Sequence, residues 1–382
     1  MTVVASFVGG WGHAEPLLPV AERAVRAGQR VVFAGQAAIV PRLADRGYDT
    51  VVVGPDTMAT EPLPLVPVDR DAERRVVADH FVRRFGAERA ETLAALFERE
   101  RPEVVVCDEV DVGAVLAAEQ AGIPAVTVSV IAAGRLAAPE VIGTAWSDLR
   151  RSHGLAADDE CRLAGGSLML AFAPPSFRDP VLPRPPRLQH VRPAVLDRVT
   201  REARPSLVYA TLGTIFNLES GDLLTRVGRA LDRVDGDALL TVGPHLSAHD
   251  LGVPAGVRVE NFVPQEDVLG RCRAVVCHGG SGTLIAALSL GVPVVVLPMG
   301  ADQPDNADRC EALGVGIVLD PLTATPATIH EAVDAVVRDG RYAAAARELA
   351  AEAAALPSLD DVREIDALLS PDPRRAGCRI GP

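Results

Sequence analysis

The chain contains no lysine, so every basic side chain among its 382 residues is an arginine or a histidine. Set beside abundant alanine, arginine, valine and glycine, that absence reads as GC-rich codon usage rather than function. Positive charge is also in deficit. The 38 arginines face 51 acidic residues, for a formal net charge of −13. This argues against nucleic acid or an anionic membrane as a partner. Six cysteines show no CxxC spacing and no histidine at metal-ligand spacing. Cys107 and Cys277 lie inside apolar strand patterns, so reduced, buried thiols in a cytoplasmic protein are expected. No apolar run approaches the ~20 residues of a membrane-spanning helix. The opening MTVVASFVGG lacks a basic leader and reads as a first β-strand instead of a signal peptide. No repeat of solenoid period is present.

What is present is ordinary globular material, 48% hydrophobic and 23% charged, long enough for two or three domains with real cores. Val3 to Val8 is a strand of buried type. GGWGHAEPLLPVAERAVRAG follows as a Gly-rich turn opening a helix that ends at Gly28. Arg30 to Gly35 and residues 51–54 are further strands. Residues 55–70 are Pro-rich and irregular, and 74–99 form an amphipathic helical stretch. PEVVVCDEVDVGAVLAAEQAGIPAVTVS then gives strand, turn, helix and strand. Residues 134–170 read as helix with loops. The proline density of 174–205 marks a linker between domains. Strand and helix alternation restarts with SLVYATLGT and runs through ALLTVG and VRVENFV, and a helical tail covers 326–369. Alternation of this kind predicts an α/β protein of two Rossmann-like, doubly wound parallel sheets facing each other across a cleft. The expected units are 1–190 with a linker to about 204, 205–355, a helix at 356–370 packing back on the first domain, and a disordered tail at 371–382.

The most informative stretch is NFVPQEDVLGRCRAVVCHGGSGTLIAALSLGVPVVVLPMGADQPDN, residues 261–306. A strand ends at Cys277, and His278-Gly279-Gly280-Ser281-Gly282-Thr283 turns into a helix. Backbone N–H groups and a helix N-terminus meet there, an arrangement that suits a diphosphate. It is neither a P-loop nor a GxGxxG fingerprint, which disfavours a dinucleotide-dependent oxidoreductase. Read alone, it is more often a plain strand-to-helix turn.

The order NFVPQ, HGGSGT, GVP and ADQPDNA, with GxxGHxxP near the N-terminus, resembles the family 1 nucleotide-sugar glycosyltransferases of GT-B fold. Within them it resembles the bacterial branch that glycosylates antibiotics and other natural products. The resemblance implies inverting, metal-independent sugar transfer, with the acceptor on the N-terminal domain and the donor on the C-terminal one. It places Phe262 at the base, with Val263 and Gln265 beside it. His278, Gly280, Ser281, Gly282 and Thr283 fall at the diphosphate, faced by Leu212, Gly213 and Thr214. Asp302 and Gln303 fall at the sugar hydroxyls, while Asn306 is expected to cap the following helix. Relatives that use uridine diphosphate sugars commonly carry a glutamate eight residues after the motif histidine. Here that position is Ala286, which favours a dTDP-sugar over a UDP-sugar as co-substrate; no other cofactor is implied.

His13 ends a strand and starts a helix, which alone fits a surface or helix-start residue. The resemblance makes it the general base, a task suited to an imidazole pKa near neutrality. Asp108 matches the aspartate that orients it. Glu109 and Asp111 stand beside Asp108, and Asp111 also suits a helix cap. Glu15 reads as first-turn charge or an acceptor contact. Asp69-Arg70-Asp71 and Asp235-Gly236-Asp237 have DxD spacing, which binds metal in other glycosyltransferases, but they sit in polar loops and no metal site is expected. Residues 55–85 and 134–170 are apolar and expected to shape a pocket for a hydrophobic aglycone, with Phe81 and Trp146 as contacts or core. A nucleotide-sugar epimerase of the same fold and a non-catalytic partner of a transferase are the alternatives. The oligomeric state, monomer or homodimer, stays open.

Overall fold

A computed structural model describes residues 1–56, 61, 63–244, 246 and 251–369. Two all-parallel sheets form the molecule. The first contains β1 (Thr2–Ser6), β2 (Arg30–Gly35), β3 (Asp49–Val52), β4 (Val104–Asp108), β5 (Ala125–Val128), β6 (Leu168–Ala171) and β7 (Leu188–His190), in the order β3-β2-β1-β4-β5-β6-β7. The second contains β8 (Leu207–Thr211), β9 (Ala238–Thr241), β10 (Arg258–Glu260), β11 (Cys272–Cys277), β12 (Val294–Val296) and β13 (Gly316–Val318), in the order β10-β9-β8-β11-β12-β13. The central strands are apolar runs buried on both faces, such as Val104–Asp108 and Leu207–Thr211. Parallel sheets covered by helices require that pattern.

Strand order reverses between β1 and β4 in the first sheet and between β8 and β11 in the second. Ligands of open α/β sheets bind outside the carboxyl ends of strands at such switch points. His13 follows β1 and Asp108 ends β4. Gly213 and Thr214 follow β8, and His278 follows β11. Both sets of motifs therefore fall at a switch point.

Some elements depart from the sequence reading. β6 lies at the end of 134–170, a stretch read as helix and loops. β7 lies inside the Pro-rich stretch read as linker. An outermost strand leaves one side of its ladder unpaired, so it tolerates neighbouring prolines, and a three-residue strand gives no periodic signal. The amphipathic stretch begins earlier, at Arg70, and changes winding. It runs as α-helix over Arg70–Arg75, π-helix over Val76–Phe85 and α-helix over Gly86–Glu100. Asp69 caps its first turn, accepting the N–H groups of Asp71 and Ala72. Asp237 accepts the Ser206 hydroxyl. Trp146 is wholly buried, with Nε1 on Asp158, and Phe81 packs edge-on against Phe85.

A buried ion pair braces the strand that carries His13. Arg89 donates from Nε and Nη2 to Asp111 at 2.8 and 2.7 Å, from Nη2 to Ser6 Oγ, and from Nη1 to the Val53 carbonyl. Asp111 also caps the Val112–Ala121 helix through the Ala114 N–H. Losing one partner of so buried a pair typically costs about 3–5 kcal/mol. The Pro326–Arg338 and Gly340–Ala355 helices cover the second sheet. Val362, Ile365 and Leu369 of the last turn and helix join the core around β1 and β2 of the first. The tail expected at 371–382, with Cys378, lies outside the described residues. Among the described residues, no helix is long and apolar enough to cross a membrane.

Candidate active site

At the first switch point, Asp108 is fully buried and held by two backbone donors. Val8 N–H reaches Oδ2 at 2.8 Å and Val110 N–H reaches Oδ1 at 2.9 Å. With its oxygens so fixed, Oδ1 faces Nδ1 of His13 at 3.5 Å. That is longer than an ordinary hydrogen bond, and Nδ1 has no closer partner among the described residues. Burial opposes charging of His13. The attraction of Asp108, then Asp302 and Glu109, outweighs it and leaves the pKa above the usual 6.5. The ring keeps about a quarter of its surface open.

Gly9 makes room for that ring. Its φ is +113°, and a methyl there would lie 2.7 Å from Cδ2 of His13 and 3.0 Å from Nε2. Gly9→Ala therefore strains the turn and displaces the imidazole. An ångström of misplacement can cost about 10²-fold in rate. We expect turnover to fall by about that factor with the cooperative melt retained. A kcat measurement alongside a melting curve checks this, and undiminished turnover refutes it.

At the second switch point, Gly280 caps the Ser281–Ser289 helix by backbone conformation alone, and no side chain satisfies its first N–H groups. Free N–H groups and the helix dipole at such an N-terminus are what an anion requires. The His278 imidazole sits between two glycines. A methyl on Gly280 would lie 2.4 Å from Nε2, and one on Gly213 2.9 Å from it. Burial lowers the His278 pKa to about 4 against a weak pull from the Thr211 backbone, a contact short of hydrogen-bond geometry. The ring is therefore neutral at pH 7 and offers a donor rather than a charge. Gln265 Nε2 donates to Thr283 Oγ1 at 2.7 Å. Thr214 is exposed, and Phe262 leaves 53% of its surface open, so Phe262 is not core. Val263 is half-buried, and Gly282 is exposed on the first turn.

Ser281 and Asn306 differ from expectation. The Ser281 hydroxyl donates to Asp302 Oδ2 at 2.5 Å and accepts from Ala132 N–H and Asn306 Nδ2. Its bonding capacity is spent inside the protein, so Ser281 offers a ligand its backbone N–H and not its hydroxyl. Asn306 caps nothing. It lies at the end of the first turn of the Gln303–Leu313 helix, fully buried, and binds Gly279 O, Ser281 Oγ, Asp302 Oδ2 and Ala133 N–H. The helix periodicity held a signal for this. Asn306 stands four residues after Asp302, on the same face. Asp302 is the N-cap residue, and burial raises its carboxyl pKa while Ser281, Asn306 and His13 pull it down. Gln303 is buried and accepts the Met299 N–H on Oε1.

The two halves meet across this cleft. His13 and Asp302 are close enough for their charges to interact. Arg42 spans from the Trp11 ring, 3.6 Å from its centroid, to the Phe262 ring at 4.9 Å. Arg70 binds Asp308, Asp305 and the Pro304 carbonyl, and Leu63 N–H reaches Leu218 O. Sequence reasoning missed Gly9, Arg42 and the loop at Ala132 and Ala133. Each acts through a contact between residues far apart in the chain.

Two parallel-sheet domains, with a histidine–carboxylate pair at one switch point and a helix N-terminus without a side-chain cap at the other, define the GT-B glycosyltransferase architecture. The solved structure of SsfS6 from Streptomyces sp. SF2575, complexed with thymidine diphosphate, matches with a TM-score of 0.74 at 24% identity, covering 95% of this chain and 98% of that one. The chain belongs to the natural-product branch of these enzymes. It is 32% identical to the L-demethylnoviosyl transferase of Streptomyces niveus over 384 residues, 94% of this chain and 95% of that protein. Residues 225–368 match the family described as erythromycin biosynthesis protein CIII-like, C-terminal domain. The UDP-glucosyltransferase YojK of Bacillus subtilis is 28% identical over 195 residues, about half of each chain. The protein is thus a nucleotide-sugar-dependent glycosyltransferase that tailors natural products.

Proposed function

We propose that this enzyme transfers a deoxysugar from a dTDP-sugar to a hydrophobic aglycone, with inversion and without a metal ion. The observation that carries the reading is the meeting of the His13–Asp108 pair with Asp302 and the uncapped Ser281 helix across one cleft. The acceptor is held against the first domain, on the side of the cleft where the partly open His13 ring lies. His13 takes the acceptor proton as its oxygen attacks the anomeric carbon from the face opposite the diphosphate. The leaving diphosphate gathers charge against the N–H groups of Ser281, Gly282 and Thr283 and the donor of neutral His278. Phe262 carries the base, flanked by Val263 and Gln265, and Asp302 and Gln303 read the sugar.

The choice of dTDP rests on Ala286. It is half-buried in the second turn of the diphosphate helix and brings no carboxylate to a ribose 2′-hydroxyl. A hydroxyl buried without its partner costs roughly 1–3 kcal/mol. SsfS6, a structural relative, was solved with thymidine diphosphate. We expect kcat/KM for the dTDP form of a sugar to exceed that of its UDP form by about tenfold or more. Comparable turnover of the two forms refutes the preference. A ligand at a hundred times its Kd stabilises the fold by about 2.7 kcal/mol. dTDP should therefore raise the melting temperature where NAD does not, and a missing dTDP shift sinks the donor-site assignment itself.

A further inference from the structure

Glu109 is 5% exposed and follows Asp108 directly, and beyond its pull on the His13 pKa no step above uses it. Its Oε1 accepts three hydrogen bonds from one loop: Ser129 Oγ at 2.8 Å, Val130 N–H at 2.6 Å and Ile131 N–H at 2.6 Å. A buried carboxylate gathering three donors is a strong local anchor. The next two N–H groups of that loop leave the first domain. Ala132 donates to Ser281 Oγ at 2.8 Å and Ala133 to Asn306 Oδ1 at 3.0 Å. Ser281 and Asn306 then converge on Oδ2 of Asp302, and Asn306 also holds the Gly279 carbonyl. An unbroken chain of hydrogen bonds therefore runs from the end of β4 to the sugar end of the opposite domain's site.

We propose that Glu109 is a positioning residue for the donor. Through the 129–133 loop it sets Ser281, Asn306 and Asp302, and so couples the strand that orients His13 to the site that holds the sugar. Adjacent residues of β4 and its turn divide the work. Asp108 aligns the base, and Glu109 aligns the other half of the cleft against it. The inference deepens the functional reading and rests on the assignment of the Ser281–Asp302 region to the donor.

The function of Glu109 here is to supply an acceptor atom. Its Oε2 has no hydrogen-bond partner among the described residues. Gln keeps Oε1 and places its NH₂ where no bond is lost, so Glu109→Gln should leave the loop anchored. Glu109→Ala removes the anchor. The loop then no longer presents two N–H groups to the donor domain, and water gains entry to the cleft.

The test compares wild type, Glu109→Ala and Glu109→Gln. It follows transfer, donor hydrolysis without acceptor, and melting temperature, with dTDP-sugar as donor. Removing the one acceptor that three loop donors share corresponds to about tenfold or more. Glu109→Ala should raise the donor KM by about that factor, leave the acceptor KM little changed, and raise the ratio of hydrolysis to transfer. Glu109→Gln should restore both readouts. The proposal falls if Glu109→Ala lowers only the melting temperature and kcat, with donor KM and hydrolysis ratio unmoved. It also falls if Glu109→Gln is as impaired as the alanine variant, because charge rather than anchoring would then be the requirement. A wild-type protein that neither binds dTDP nor turns over any dTDP-sugar sinks the functional reading and this inference with it. A normal wild type beside an unaffected alanine variant sinks the inference alone.

Discussion

His13→Ala is expected to lower transfer by about 10²–10⁴-fold, the range that a positioned general base supplies, while nucleotide affinity stays at the wild-type value. The separation follows from where the contacts lie. The residues proposed for the donor, His278 to Thr283, Phe262 and Gln265, all belong to the second sheet and its helices and loops. His13 belongs to the first, behind β1, where only its ring reaches the cleft. Removing the ring leaves Asp108 with its two backbone donors, so the carboxylate stays hydrogen-bonded and the fold loses little. Single-turnover transfer assays and dTDP titration by calorimetry measure the two quantities on one preparation. Full activity in the variant refutes the role of His13, and lost dTDP affinity shows that His13 acts by binding instead. A carbon nucleophile or a readily ionised phenol needs less help with its proton, so the loss then falls at the low end of the range.

The sequence made the second half of the site more legible than the first. Phe262, Gln265, His278, Ser281, Thr283, Asp302 and Gln303 lie within 45 residues on a single strand–helix–strand run, so order and spacing alone placed them in one region. The alternation of buried strands also exposed both switch points, because parallel strands announce themselves as unbroken Val-rich runs. What stayed hidden is long-range. Arg89 looks like one more arginine on an amphipathic helix. Only folding brings it against Asp111 and Ser6. Ser281 reads as one more residue at the diphosphate, and nothing local shows that Ala132 N–H of the 129–133 loop takes a lone pair of its hydroxyl. Asn306 reads as a cap because asparagine near a helix start favours that role. Its burial beneath Gly279 assigns it to a network instead. β7 escaped because prolines dominate its surroundings and three residues carry no period. Local chemistry is written in neighbours along the chain, and domain closure is not.

Asp108→Asn is expected to reduce turnover by about 10²–10⁴-fold and, more tellingly, to move the pH profile. His13 works as a base only when neutral. In the native site burial disfavours its charged form, but the attractions of Asp108, Asp302 and Glu109 together outweigh burial and hold the pKa above 6.5. The acidic limb of kcat/KM should therefore fall at a pH higher than an ordinary histidine would give. Asparagine removes the largest attraction and leaves the burial, so the limb moves to lower pH even as the plateau drops. The plateau falls because both carboxylate oxygens already accept a backbone N–H, from Val8 and from Val110. The amide has one acceptor oxygen, so its NH₂ must face one of those donors. That conflict costs about 1–3 kcal/mol and loosens the groove that aligns Nδ1. A variant that was merely less well folded would lower the plateau without moving the limb. Profiles of kcat/KM from pH 5 to 9 for both proteins (an approximate range that brackets the ordinary histidine pKa) decide the point. An unmoved limb beside a lowered plateau removes Asp108 from the electrostatics of the base and leaves it a structural residue.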